Sequence, residues 1–463
     1  MHMIAIGGSD AGISAALRAR EVDPGAEVTV VVADAYPNFS ICGIPYHVSG
    51  DVPQWRDLAH RTIADLEAAG MTLRLDTTAR RIDARDRKLL VTSSRGEDLL
   101  SYDQLVIGTG AVPVRPPIAG LDRLDAADGV HLLHSMADTF AIMRTLEETA
   151  AGSAVIVGAG YVGLEMAEAL TARGLAVTQV ERLPEVLPTV DRQLGALVRA
   201  QLESGGVTVL PGTTAGQVRR AEAGAPARLR VDATAPGGKP VTLQAGLVLV
   251  VTGVRPETSL AVSAGAALGA GGAISVDQAM RTGLPGIYAA GDCVITRHRL
   301  LGETWLPLGT TAHKQGRVAG ENAAGGHREF AGSLGTQVVK VFDHAAARTG
   351  LRDHEAAAAG YEPVTVAWDA DDHKAYYPGS HRIWMRFTGD RRTGLLLGAQ
   401  LFGHKDAEIA KRIDIAAAAI YSHLTVDQVS DLDLSYTPPL GSPWDAIQMG
   451  AQAWARHLAR ETR

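Results

Sequence analysis

The sequence has little cysteine: its 463 residues carry two, Cys42 and Cys293. Two thiols make neither a disulfide framework nor a four-thiolate zinc site. Long apolar runs are missing too, and none approaches the ~18 residues that would suggest a membrane span. The opening MHMIAIGG lacks the basic head and long apolar stretch of a secretory signal. Positive charge is not in excess, since 44 Lys and Arg against 51 Asp and Glu leave a net −7. That argues against nucleic acid as a partner, although a local basic patch can still hold a small anion. What is present is a chain 46% hydrophobic and 21% charged, which excludes disorder. At roughly 100–200 residues per domain its length predicts two to four domains. The expectation is a soluble, cytoplasmic, multidomain protein with neither nucleic acid nor membrane as partner.

Residues 3–6 read as a short apolar strand, 13–21 as a helix and 28–32 as a second strand. Between the first two lies Gly7-Gly8-Ser9-Asp10-Ala11-Gly12. This is a βαβ unit whose glycine turn lets a pyrophosphate approach the backbone, with its charge at a helix N-terminus. Ser9 replaces the middle glycine, and Val32 stands where an acid would end the second strand. Asp34, two residues on, either reaches a ribose hydroxyl or is a solvated loop acid. The pattern returns in a more regular form. A strand at 154–157 leads into Gly158-Ala159-Gly160-Tyr161-Val162-Gly163, then a helix at 164–173 and a strand at 176–180 that ends in Glu181. Strand, turn, helix, strand and acid fall at the ~20-residue spacing of a dinucleotide fingerprint. Glu181 favours NADH over NADPH by accepting from the ribose and repelling a 2′-phosphate, while neighbouring Arg182 is placed to bind that phosphate.

Two dinucleotide folds suggest two dinucleotides, and the economical pair is FAD and a nicotinamide. The alternative is two nucleotide domains that only sense or bind. Small-residue strand ends support FAD: Gly108-Thr109-Gly110 after 105–107, Thr252-Gly253 within an apolar strand at 248–254, and Gly291-Asp292 after 287–290. Small residues admit a bulky cofactor, and the Asp292 carboxylate is placed to accept from ribityl hydroxyls. Residues 309–320, with Ala312, have helical spacing and place an N-terminus near the flavin. Residues 221–239 read as a surface hairpin or loop. Beyond about Gly332 no fingerprint recurs. Strands are expected near 336–342, 364–368, 382–387 and 394–401, and helices at 355–360 and 407–423. The predicted fold class is α/β, with two Rossmann-like dinucleotide-binding domains plus a C-terminal α+β dimerisation domain. The expected boundaries are 1–113 with 253–331 for FAD, 114–252 for NAD(P)H and 332–463 for dimerisation.

The two fingerprints, the Gly108–Gly110 turn and Tyr288-Ala289-Ala290-Gly291-Asp292 resemble the FAD-dependent pyridine nucleotide–disulfide oxidoreductases over nearly the whole chain. Asn38-Phe39-Ser40-Ile41-Cys42-Gly43-Ile44-Pro45-Tyr46 is similar to the single-cysteine branch: coenzyme A-disulfide reductases, NADH oxidases and NADH peroxidases. Tyr376-Tyr377-Pro378-Gly379 and Tyr436-Thr437-Pro438-Pro439 resemble C-terminal motifs of the coenzyme A-disulfide reductases. His47 stands where the two-cysteine branch has its second Cys, and that branch's His-Pro…Glu base is missing. Asp10 replaces the first-turn His of the oxidases and peroxidases, which weakens transfer of their peroxide or oxygen chemistry and leaves NADH oxidase or peroxidase activity as a disfavoured alternative.

The resemblance implies FAD, NADH with NADPH as the alternative, and Cys42 as the redox thiol. Cys42 is expected before a helix start at Gly43-Ile44-Pro45, which favours thiolate. With no adjacent thiol, its oxidised state is a mixed disulfide, a persulfide or a sulfenic acid. Tyr436 and one of Tyr376 and Tyr377 would protonate the leaving thiolate, from a partner subunit if the family's homodimer carries over. Arg18 looks like a coenzyme A phosphate contact, with Arg20 and Arg61 as further cations and Ser40 lining the substrate side. Cys293 is expected to pack near the flavin. The implied substrate is a small disulfide or persulfide, with coenzyme A as one carrier. A flavoprotein redox sensor is the non-catalytic alternative.

Overall fold

The computed structural model describes residues 1–148, 152–222 and 224–461. Residue 223, inside the expected hairpin, and 462–463, in the tail, lie outside the described residues. Three five-stranded sheets organise the chain. In the first, His2–Ile6 is central and pairs in parallel with Glu27–Val31 on one side and Gln104–Ile107 on the other. Met71–Arg74 and Ile287–Ala289 form its edges. This sheet therefore takes its last strand from far along the chain. Its strands are buried on both faces, as parallel strands must be. The helices Asp10–Val22 and Gly309–Ala323 pack together beside it.

The second sheet repeats this plan, with Ser153–Val157 between Ala176–Val180 and Leu247–Val250 and the helix Tyr161–Ala172 following the first of these. The apolar strand expected to run from 248 to 254 stops at Val250. Gly253, at φ +116, then turns the chain into Val254–Pro256, which pairs with Ala111–Pro113. The region 221–239 is more than a surface loop. Leu229–Ala235 is the middle strand of a three-stranded antiparallel sheet, and Leu229, Val231 and Ala233 face the core. Flanking Gly, Pro and Ala hid that alternation in the sequence. A second such sheet, at residues 78–101, was also not anticipated.

The third sheet is antiparallel, ordered Gln337–Val341, His344–Gly350, Leu396–His404, Arg382–Asp390 and Pro363–Asp371. The helices Ile409–Tyr421 and Ala446–Glu461 cover it around buried Phe387, Met385 and Trp454. The last of these helices has no counterpart in the sequence reading. Among the described residues no helix is long and apolar enough to cross a membrane.

Candidate active site

The helices that follow the two glycine turns, after Ser9 and after Gly160, and the one expected near the flavin, after Leu308, begin without a side-chain cap. Their first N–H groups are left for other acceptors. The glycines before the first helix are sterically required. A Cβ on Gly7, at φ +112, would lie 2.1 Å from the Gly108 carbonyl oxygen, and one on Gly12 would lie 2.0 Å from that of Gly7. Gly8 lies against Val32, and Ala11 is buried. Gly110, at φ +68, and Gly253 have open space where a Cβ would sit. Asp34 is held by the Tyr36 N–H at 2.9 Å, and burial pushes its carboxyl up. The buried Oδ1 of Asn38 has no partner in the chain. Asp292 lies beyond the strand Ile287–Ala289, and burial and the charge of Asp10 push its carboxyl up to about 6. A strand-end acid, orphaned acceptors and uncapped N–H groups around an open glycine turn fit a flavin dinucleotide.

Cys42 sits in the 3₁₀ turn Ile41–Gly43, directly before the helix Ile44–Ser49. Ser40 starts that turn, and its Oγ accepts from the Gly43 N–H at 3.1 Å. The thiol is exposed at its edge yet crowded by protein on most sides. The sequence suggested a lowered thiol pKa, but the structure reverses this. Burial pushes the Cys42 thiol up, and Glu165, Asp10 and Asp292 add to the effect because a thiolate would face three acids. Asp10 was expected at the pyrophosphate turn. It is the first residue of the helix after that turn, and its carboxylate lies 3.3 Å from His313 Nε2 and acts on Cys42 and Asp292.

The sequence reading missed Glu165. It projects from the second fingerprint helix, and burial pushes its carboxyl up to about 7. Tyr46 donates to it and is itself pushed up by burial. Neighbouring Glu168 pairs with Lys340 and accepts from the Phe342 N–H at 2.8 Å. Lys340 lies 5.8 Å from the Tyr46 ring. The signal was available: an acid within the apolar run 161–170, two residues after a fingerprint glycine.

At the second turn, Gly160 and Gly158, the latter at φ +110, line the entry, while a Cβ on Gly163 would lie 2.3 Å from the Gly158 carbonyl oxygen. Val162 is partly exposed, and the Tyr161 phenol is pushed up to about 12 by burial. Glu181 accepts from the Ala159 N–H at 2.8 Å and from the Leu183 N–H at 2.7 Å. It therefore shapes the turn. Thr109 donates to the Glu257 carbonyl oxygen. Ala312 is buried against Gly291. Cys293 is fully buried in the core, with Sγ 3.4 Å from the Ala290 carbonyl oxygen.

Two of the three expected phosphate cations, Arg18 and Arg20, are already engaged. Arg18 pairs with Glu21 at 2.8 Å and Glu321 at 2.7 Å. Arg20 is a tether to the Pro24, Ala26 and Ala69 carbonyls and is not free for a ligand, which corrects the expectation for it. Arg61 is exposed near Asp65. Tyr376, Tyr377 and Tyr436 gather on the surface, where Tyr436 and Tyr376 hydrogen-bond each other. Among the described residues no hydrogen bond joins them to Cys42.

Comparison with known proteins agrees with this geometry. The chain is 35% identical to the NAD(P)H sulfur oxidoreductase (CoA-dependent) of Pyrococcus furiosus, covering 96% of this chain and 97% of that one. It is 28% identical to the coenzyme A disulfide reductase of Staphylococcus haemolyticus, covering 96% and 98%. Among solved structures it superposes at a TM-score of 0.92 on the NAD-dependent persulfide reductase of A. fulgidus. That pair is 36% identical and covers all of this chain and 84% of the other. Residues 1–316 match the model of the pyridine nucleotide-disulphide oxidoreductases and residues 336–446 that of their dimerisation domain. The first match alone spans well over half the sequence, and the chain belongs to this family of FAD-dependent enzymes.

Proposed function

We propose that the protein is an NAD(P)H-dependent reductase of a low-molecular-weight disulfide of the coenzyme A type, working through Cys42 alone. The observation that carries this reading is one exposed thiol, Cys42, that feels the charges of Asp10 and Asp292 beside the first glycine turn and the strand end, with the other cysteine fully buried in the core. FAD, held by the turns at Gly7–Gly12 and Gly108–Gly110 and by Asp34 and Asp292, supplies a two-electron path from the nicotinamide to the sulfur. The nicotinamide dinucleotide is held by Gly158–Gly163 and Glu181, with NADH preferred. We assign residues 1–113 and 253–331 to the first of these domains, 114–252 to the second and 332–463 to dimerisation.

Cys42 as thiolate attacks one sulfur of the disulfide. The S–S bond breaks, one thiolate leaves and takes a proton, and Cys42 becomes a mixed disulfide. Two electrons and one proton then release the second thiol and restore the Cys42 thiolate. Burial pushes the Glu165 carboxyl up to about 7, against the Tyr46 hydrogen bond that favours its charged form, and the proton it then holds lessens the negative field at Cys42. Tyr436 and Tyr376 are the proton donors for the leaving group, supplied by the partner subunit of a homodimer. Arg18 and Arg61 are the cations for the phosphates of such a substrate, and Arg18 reaches one only by leaving Glu21 or Glu321. Persulfide or polysulfide reduction is the second reading, favoured by the 36%-identical persulfide reductase structure. It uses the same thiolate attack and releases hydrosulfide.

Steady-state NADH consumption with coenzyme A disulfide and with a persulfide donor tests both readings. Turnover with neither substrate overturns the proposal. Comparing kcat/KM for NADH and NADPH tests the role of Glu181, and a strong NADPH preference would mean that Arg182 dominates.

A further inference from the structure

We propose a second, non-catalytic site on the third sheet: a divalent transition-metal site of the zinc or nickel type, built from His381, His404 and Asp406. Two imidazole nitrogens and one carboxylate oxygen are a donor set suited to such ions. Each residue offers a ligand atom within 4.8 Å of the others. None of them takes part in the redox chemistry above.

The fold builds this cluster. His404 ends the strand Leu396–His404 and lies directly opposite His344, the first residue of the neighbouring strand. His381 immediately precedes the strand Arg382–Asp390 on the other side, so three adjacent strand ends meet here. The backbone of His381 is fixed by its N–H bond to buried Asp372 at 2.9 Å. The His381 and His404 rings lie face to face, 3.9 Å between centroids and 11° apart in tilt. His404 Nδ1 is 3.6 Å from the Asp406 carboxylate.

His344 supplies a second, independent observation. It stacks on Phe402 at 5.2 Å, lies 5.6 Å from His404, and its buried Nδ1 has no hydrogen-bond partner. The remaining charges facing the cluster, Asp343 and Lys405, pair with each other at 3.4 Å. The unpartnered Nδ1 of His344 and the exposed Asp406 carboxylate leave donor atoms beside the cluster for a cation.

Donors about 2 Å from a shared ion stand roughly 3–3.5 Å apart, so the cluster must close by about an ångström. The two stacked rings must also open from parallel, through the broad torsion next to each ring. Water would complete the coordination, with His344 as a fourth protein ligand within reach of a ring rotation.

The experiment is isothermal titration of zinc chloride into FAD-loaded protein carrying Cys42→Ser, which removes the exposed thiol. We expect one ion per chain at pH 7.5, with binding weakened at least about tenfold by His404→Ala and by Asp406→Asn. His327→Ala, at an exposed histidine elsewhere, should leave binding unchanged. Asp406 is 69% exposed, so its substitution keeps the test valid if His404→Ala fails to fold. Absence of binding up to about 100 µM zinc, or binding that neither substitution weakens, overturns the proposal.

Discussion

Cys42 and Cys293 differ in surroundings more than in chemistry. One thiol borders an acid-lined cleft, and the other is enclosed by the carbonyls of Ile107 and Ala290. Cys42→Ser should therefore keep fold, FAD and flavin reduction by NADH yet abolish disulfide turnover, because a serine hydroxyl stays protonated and carries no redox sulfur. Cys293→Ser should keep turnover and cost about 1 kcal/mol in denaturant unfolding, since both carbonyls can accept from the new hydroxyl. Stopped-flow flavin reduction beside steady-state assays decides. Disulfide turnover that survives in Cys42→Ser, or is lost in Cys293→Ser, assigns the thiol wrongly. Glu165 gives a pH prediction. Its carboxyl is raised to about 7 when folded, above the usual carboxylate range. The folded state thus binds the extra proton between about pH 4.5 and 7, and stability from this group falls as pH rises through that window. Glu165→Gln should raise the Tm at pH 8 and flatten that part of the stability profile. An unchanged Tm at pH 8 would show that the carboxyl is not desolvated.

At the scale of elements, the flavin side of the site depends on two helices in close contact. A Cβ on Gly316 would lie 2.4 Å from the Ala11 carbonyl oxygen, and one on Gly320 would lie 2.1 Å from that of Ala15. The helices Asp10–Val22 and Gly309–Ala323 therefore touch backbone to backbone. Gly320→Val should force them apart, costing roughly 1–3 kcal/mol of stability and loosening FAD retention. Wild-type flavin content and an unshifted denaturation midpoint would refute this. Both fingerprint turns and the strand ends beside them were legible from sequence, because local spacing of glycine and apolar residues determines them. The small sheets at 78–101 and 214–245 were not, because their alternation is interrupted by charged and small residues and rewarded only by tertiary packing. Glu165 was hidden for a related reason. Its role follows from Tyr46, more than a hundred residues away in sequence, and a helical pattern read alone assigns an acid to solvent.

At the scale of the molecule, the proposed function needs tyrosines from a second chain to complete the site at Cys42. Tyr376, Tyr377, Tyr436, Leu440 and Trp444 are all exposed on the sheet unit that matches the dimerisation model. Cys42 is carried by the loop after the first sheet's second strand. A two-fold homodimer brings each tyrosine group to the partner's Cys42 if the interface is isologous. Light scattering should then report a dimer. A sharper test mixes subunits. One variant carries Cys42→Ser, and the other carries Tyr376→Phe with Tyr436→Phe. Each homodimer lacks one half of every site and turns over slowly or not at all. After subunit exchange, half the molecules are heterodimers, and each holds one site in which an intact Cys42 faces intact tyrosines. Recovery to about a quarter of wild-type turnover is expected from that statistics. If the tyrosines acted within their own chain, no heterodimer site would be whole and mixing would restore nothing. Recovery without exchange, in a covalently linked homodimer control, would equally refute the shared site.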